Sequence, residues 1–217
     1  MALAIFDLDN TLIAGDSDHR WGEFLCAEGL VDAEQHAREN DAFYEAYQQG
    51  GLDIQAYLAF ALGPISGMTE TEVANLQSIF MSDWIEPMLL DEAFKLLDKH
   101  RSAGDELLII TATNTVVTRP IADRLQISTL IGCEAEIQNG RYTGRSTGVP
   151  TFQQGKVIRL NEWLSESGQV MDGAWFYSDS HNDLPLLEKV DNPVAVDPDK
   201  KLLAVAQERG WPVLSLR

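Results

Sequence analysis

Ala4-Ile5-Phe6-Asp7-Leu8-Asp9-Asn10-Thr11 is the stretch that decides how this chain folds. The apolar run fits a short buried strand, and two carboxylates follow it at i and i+2, a spacing that turns both side chains to one side of an extended backbone. In an open α/β sheet, ligands collect outside the carboxyl ends of the strands. Asp7 and Asp9 therefore stand where chemistry is expected, and they invite a divalent cation. An acidic turn closing a strand would look the same over this stretch alone, so the remainder of the chain has to separate the two.

Working outward, apolar runs recur at Leu107-Leu108-Ile109-Ile110, Trp175-Phe176-Tyr177 and Pro193-Val194-Ala195-Val196. Helical patterns alternate with them at 91–101, 120–125, 156–165, 184–190 and 200–209. That alternation predicts an α/β fold, a Rossmann-like parallel sheet covered by helices on both faces. About ninety residues separate the first strand from the second, where a crossover helix needs only a dozen or so. The excess predicts an inserted helical unit over 16–85, with a core built from 1–15 and 86–217. Asp32-x-x-Gln35 and Thr69-x-x-Glu72 resemble capping boxes that open helices within it. Its aromatic residues, Phe43, Tyr44, Tyr47, Tyr57, Phe60 and Trp84, fall at helical spacings and read first as packing residues. Between short runs able to pair, Asn139-Gly140 predicts a type I′ hairpin.

Composition narrows the partners. The chain has 217 residues, with 16 Lys plus Arg against 34 Asp plus Glu, a net charge of −18. Such a field repels nucleic acid and anionic membranes and favours a substrate that carries a positive group. Cys26 and Cys133 stand far apart without metal-ligand spacing. No basic segment followed by a long apolar run opens the chain, so a cytoplasmic protein, monomeric or weakly dimeric, is expected.

Three further signals fall at later strand ends: Thr111 directly after Leu107–Ile110, Lys156 opening a helix, and Ser178-Asp179-Ser180-His181-Asn182-Asp183 after Trp175–Tyr177. Together with Asp7-x-Asp9-x-Thr11 they resemble, in order, the four motifs of the haloacid dehalogenase superfamily, in the branch that includes phosphoserine phosphatase. The resemblance spans the whole chain, with the helical insert matching the family's cap in position and size. It implies a phosphomonoester hydrolase with Asp7 as nucleophile, Asp9 as general acid and base, and Thr111 and Lys156 at the transferring phosphoryl group. It further implies Mg²⁺ held by Asp7, Asp179 and the Asp9 main-chain carbonyl. Asp183 is grouped with these metal residues, or behind them orienting Lys156 or a bound water. The chain departs from the pattern at Ser178, where Gly is usual, and at Ala112-Thr113-Asn114, where phosphoserine phosphatases tend to have glycines.

In the family the cap selects the leaving group. Asp16 occupies the position of the carboxylate that holds the amino group of phosphoserine, although Asp16 and Asp18 also suit a helix start. The matching position for the arginine that holds the substrate carboxylate falls in Leu52–Ala61, which contains no Arg or Lys. Arg20 and Arg38 are the nearest replacements. A small phosphorylated metabolite with a cation and no carboxylate is then expected, and histidinol phosphate fits. Asp16, Asp18 or Glu23 would face the cation, Trp21, Phe43 and Tyr44 are placed to stack an imidazole, and Asn114 and Asn182 are able to bond substrate or phosphate. Alternatives are phosphoserine, a phosphoethanolamine-like metabolite, and transfer from the same intermediate to an acceptor alcohol.

Overall fold

The computed structural model describes residues 2–217. Seven strands form one sheet: β1 (Leu3–Phe6), β2 (Glu106–Asn114), β3 (Thr129–Gln138), β4 (Arg141–Thr147), β5 (Trp175–Ser178), β6 (Asn192–Val196) and β7 (Val213–Leu214). Their spatial order is β4-β3-β2-β1-β5-β6-β7, parallel except where β3 meets β4. β1 lies at the centre, and the chain leaves it for β2 on one side before returning to β5 on the other. That reversal of strand order is the kind of switch point at which α/β sheets bind ligands.

Burial alternates along the strands as a two-faced sheet requires. Ala4, Phe6, Leu107, Ile109 and Tyr177 belong to one apolar cluster, and Leu3, Ile5, Leu108, Ile110 and Phe176 to the other. The second face is covered by α7 (Gln154–Ser167), α8 (Leu184–Leu187) and α9 (Lys200–Arg209). α5 (Asp91–Ala103) and α6 (Thr115–Arg124) cover the first. Between β1 and β2 run α1 (Ser17–Ala27), α2 (Ala33–Gln49), α3 (Ile54–Leu62) and α4 (Glu70–Phe80). Trp21, Phe24 and Phe80 join α1 and α4 to the first face, so this insert shares the apolar cluster of the sheet.

Local chemistry explains several of these elements. Thr69 opens α4 with a reciprocal capping box to Glu72. Asp32 caps α2 through the Gln35 amide, but the Gln35 side chain turns to Glu39, so the second predicted box is half formed. α6 begins at Thr115, five residues before the predicted start at Pro120. A proline there withdraws the N–H that Val116 O would accept, and Gln77 of α4 donates to that carbonyl instead. Asn139 and Gly140 have φ of 53° and 73°, both positive as a type I′ turn demands. β3 runs longer than the hairpin arm read from sequence, because its first residues pair with β2 in parallel before it bends to β4. Gly67 and Met68 then bond to Tyr142 of β4, so the hairpin braces the insert. The two chain crossings into the insert run side by side, with the Ala14 amide 2.8 Å from the Met88 carbonyl. No helix among the described residues is long and apolar enough to cross a membrane.

Candidate active site

The strand ends bring the four motifs into one cluster. Asp7 is the first residue beyond β1, and its amide donates to the Tyr177 carbonyl at 2.9 Å, which ties it to the end of β5. Lys156, in the first turn of α7, is buried and reaches back to Asp7 Oδ1 at 2.7 Å and to the Asp183 carboxylate at 2.8 Å. Ser178 donates to Asp183 Oδ2 at 2.7 Å, which gives the departure from glycine a purpose: the hydroxyl holds the carboxylate that in turn holds Lys156. Thr11 accepts from the Asp179 amide at 3.0 Å, and its hydroxyl lies 3.3 Å from Asp179 Oδ1 and 3.5 Å from Asp7 Oδ2. Thr111 is buried at the cavity floor and accepts from the Thr113 amide at 3.1 Å.

Asp7 and Asp183 thus share a single ammonium, and Asp179 lies near enough to feel both carboxylates and the ammonium. Burial pushes the Asp7 carboxyl up to about 7, against the pull of Lys156 and with help from Asp183 and Asp9. Asp179 is raised well above the carboxylate range, by burial first and then by Asp7 and Asp183. Burial alone would lower Lys156, but the two carboxylates override it and hold the ammonium charged. The cluster is therefore short of positive charge. Among the described residues no three His, Cys, Asp or Glu side chains close into a metal site by themselves. Two carboxylates and a main-chain carbonyl nevertheless suit Mg²⁺, which keeps waters and shares phosphate oxygens. Asp183, by contrast, is turned onto Lys156 and Ser178.

Asp9 is held at both ends. The Ser17 amide, at the start of α1, donates to Oδ1 at 2.6 Å, and the Thr113 hydroxyl donates to Oδ2 at 2.8 Å. Its carboxyl rises to about 6, driven up by burial and Asp16 and restrained by the donors from Ser17 and Thr113.

Above these residues lies a cavity of about 520 Å³, part of it open to solvent, between the strand ends and the insert. Asp7, Asp9, Asp16 and Asp18 line it together with Phe43, Tyr44, Tyr47 and Tyr57, and no Lys or Arg does. Its one basic side chain, His19, is bonded to Asp41 at 2.9 Å. Asp16 caps α1, accepting from the Asp18 and His19 amides, and still faces the cavity. Asp18 is buried, takes the Asn114 side-chain amide at 3.2 Å, and is raised well above its usual range by burial and by Asp16 and Asp9.

Several sequence expectations need correction. Glu23 is not among the cavity residues and pairs with Arg20 at 2.6 Å on the surface. Five positions beyond Asp18 on one helix, it sits about 140° around the axis. Arg20 and Arg38 are exposed and bonded to Glu23 and Glu34, so neither replaces the missing arginine. Asn114 bonds Asp18 and caps α6, while Asn182 donates to the Tyr47 carbonyl and accepts from Gln153, so both link elements. Trp21 is buried against Phe24 and Phe80. Phe43, Tyr44, Tyr47 and Tyr57 line the cavity instead of simply filling the insert, because α2 and α3 set those faces toward the strand ends. The departure at Thr113 was visible in the sequence, but its bond to Asp9 was not.

The sequence profile described as haloacid dehalogenase-like hydrolase matches residues 4–188. A histidinol-phosphatase of Neisseria meningitidis serogroup C is 45% identical, with 99% of each chain covered. A phosphoserine phosphatase of Mycobacterium tuberculosis is 31% identical, over 100% of this chain and 71% of its own. A crystal structure of a protein of unknown function from Bordetella pertussis Tohama I superposes with a TM-score of 0.93 at 41% identity, covering 100% of this chain and 99% of that one.

Proposed function

The chain belongs to the haloacid dehalogenase-like hydrolases and is a phosphatase, and from that premise we propose that it hydrolyses histidinol phosphate through a phosphorylated Asp7 with Mg²⁺. The observation that carries the substrate choice is the cavity lining, four carboxylates and four aromatic rings without a Lys or Arg. A cationic amine and an imidazole find carboxylates and ring faces there. The carboxylate of phosphoserine would be buried beside like charges with no partner, a costly arrangement. The 45% identical histidinol-phosphatase supports the same choice.

An Asp7 carboxylate oxygen attacks phosphorus, the bond from phosphorus to the leaving oxygen breaks, and Asp9 delivers its proton to that oxygen. Water then attacks the phosphorylated Asp7, Asp9 takes the proton of the water, and cleavage of the bond between phosphorus and Asp7 returns the free carboxylate and inorganic phosphate. Lys156 and Thr111 give positive charge and a donor to the phosphoryl oxygens. Mg²⁺, held by Asp7, Asp179 and the Asp9 carbonyl, would neutralise the approaching phosphate. Asp183 keeps Lys156 in place.

Phosphate release from histidinol phosphate and from phosphoserine, measured with Mg²⁺ and with Asp7→Asn as the blank, tests this. Histidinol phosphate should win by about a hundredfold or more in kcat/KM, because a pocket that leaves a buried charge unpaired rejects it strongly. Equal turnover of the two would overturn the substrate assignment.

A further inference from the structure

Asp9 receives one hydrogen bond on each oxygen, and the two donors come from different parts of the chain. Ser17 N–H, 2.6 Å from Oδ1, belongs to the insert, and Thr113 Oγ1, 2.8 Å from Oδ2, belongs to the end of β2. The Ser17 hydroxyl is buried close to Asp9 as well but makes no hydrogen bond of acceptable geometry, so among the described residues Thr113 gives Asp9 its well-formed side-chain hydrogen bond. Thr113 is itself 6% exposed and lines the same cavity as Asp9. Its amide is bonded to Thr111 Oγ1, which fixes the backbone from which the hydroxyl reaches across.

We infer that Thr113 is a positioning residue for the proton transfers of Asp9, holding the carboxyl plane so that its free acceptor sites face the leaving oxygen and later the water. This rests on the assignment of Asp9 as acid and base made above. A carboxyl bonded at only one oxygen swings about its terminal torsion, which is broad and has no deep well. A second donor on the other oxygen removes that freedom. A main-chain N–H donates only, whereas a hydroxyl donates or accepts, so Thr113 keeps a bond to Asp9 whether the carboxyl is charged or protonated. Glycine, which phosphoserine phosphatases tend to place in this segment, supplies no such group, and the hydroxyl is a property of this chain's own β2 end.

The test compares leaving groups. An alkoxide needs a proton as it departs, whereas the anion of an activated aryl phosphate such as p-nitrophenyl phosphate does not, and kcat/KM reports the first phosphoryl transfer for both. In Thr113→Val, kcat/KM for histidinol phosphate should fall about ten- to hundredfold, the range for losing a hydrogen bond to a charged group. The aryl phosphate should change by no more than about twofold, and Thr113→Ser should restore most of the loss because it returns the hydroxyl. Equal losses on both substrates, or no rescue by Ser, would overturn the inference and leave Thr113 a packing residue. A wild-type enzyme inert toward every phosphomonoester would instead remove the reading of Asp9 and the inference with it, which separates the two failures.

Discussion

At the scale of single residues, the site is governed by a shortage of positive charge. A carboxyl whose folded value is raised stabilises the fold most below its unfolded value, and that contribution disappears as pH rises through the folded value. For Asp7 the window runs from 3.8 to about 7. Without metal, the protein should therefore lose stability as pH climbs across that window. Mg²⁺ bound at Asp7 would compete with the proton that burial favours there, so its stabilisation should be larger at pH 8 than at pH 5. Thermal unfolding with Mg²⁺ or with a chelator at the two values checks this, and an equal rise in Tm at both would show that the ion does not sit on Asp7. The residues behind this prediction were legible because each follows an apolar run at a strand end. Thr113 and Tyr57 were not, since nothing local marks which residue a hydroxyl will meet from 104 positions away or across a cavity.

At the scale of elements, the placement of Lys156 depends on a glycine. Gly155 comes so close to the preceding loop that a Cβ added there would lie 1.9 Å from the Pro150 carbonyl oxygen. Gly155→Ala must push the loop or the first turn of α7 aside, and with it the ammonium that lies 2.7 Å from Asp7. We expect a stability loss of about 1–3 kcal/mol, the range for overpacking, together with a large fall in kcat. Gly168, at the other end of α7, has φ of 72° and nothing within 4 Å of an added Cβ. Gly168→Ala should cost about 1 kcal/mol and leave kcat unchanged. Chemical denaturation and steady-state kinetics on the pair separate placement from folding, and equal kinetics in both variants would mean that α7 tolerates the shift. Elements with a local signal, such as α9, α5 and the Asn139-Gly140 hairpin, were readable from the chain alone. The parallel start of β3 and the first turn of α6 were not, because pairing with β2 and the Gln77 bond to Val116 are supplied by distant residues.

At the scale of the whole molecule, the insert is tied to the core by two separate sets of contacts. α1 and α4 share the apolar cluster, and the carbonyls at the end of α2 accept from Asn182, Gln153 and Lys201. A substrate enters a cavity lined by carboxylates on a protein of net charge −18. An aryl phosphate is a dianion near neutral pH and meets this field as a repulsion. Histidinol phosphate offsets its phosphate with an amine and a partly charged imidazole, and has little net charge for the field to act on. Raising ionic strength from about 0.01 M to about 0.15 M shortens the Debye length from about 30 Å to about 8 Å. At constant Mg²⁺, kcat/KM for the aryl phosphate should then rise several-fold while that for histidinol phosphate moves by less than about twofold. A fall for the aryl phosphate would mean that the ammonium of Lys156 and the bound metal, rather than the molecule's overall charge, set the potential along the approach.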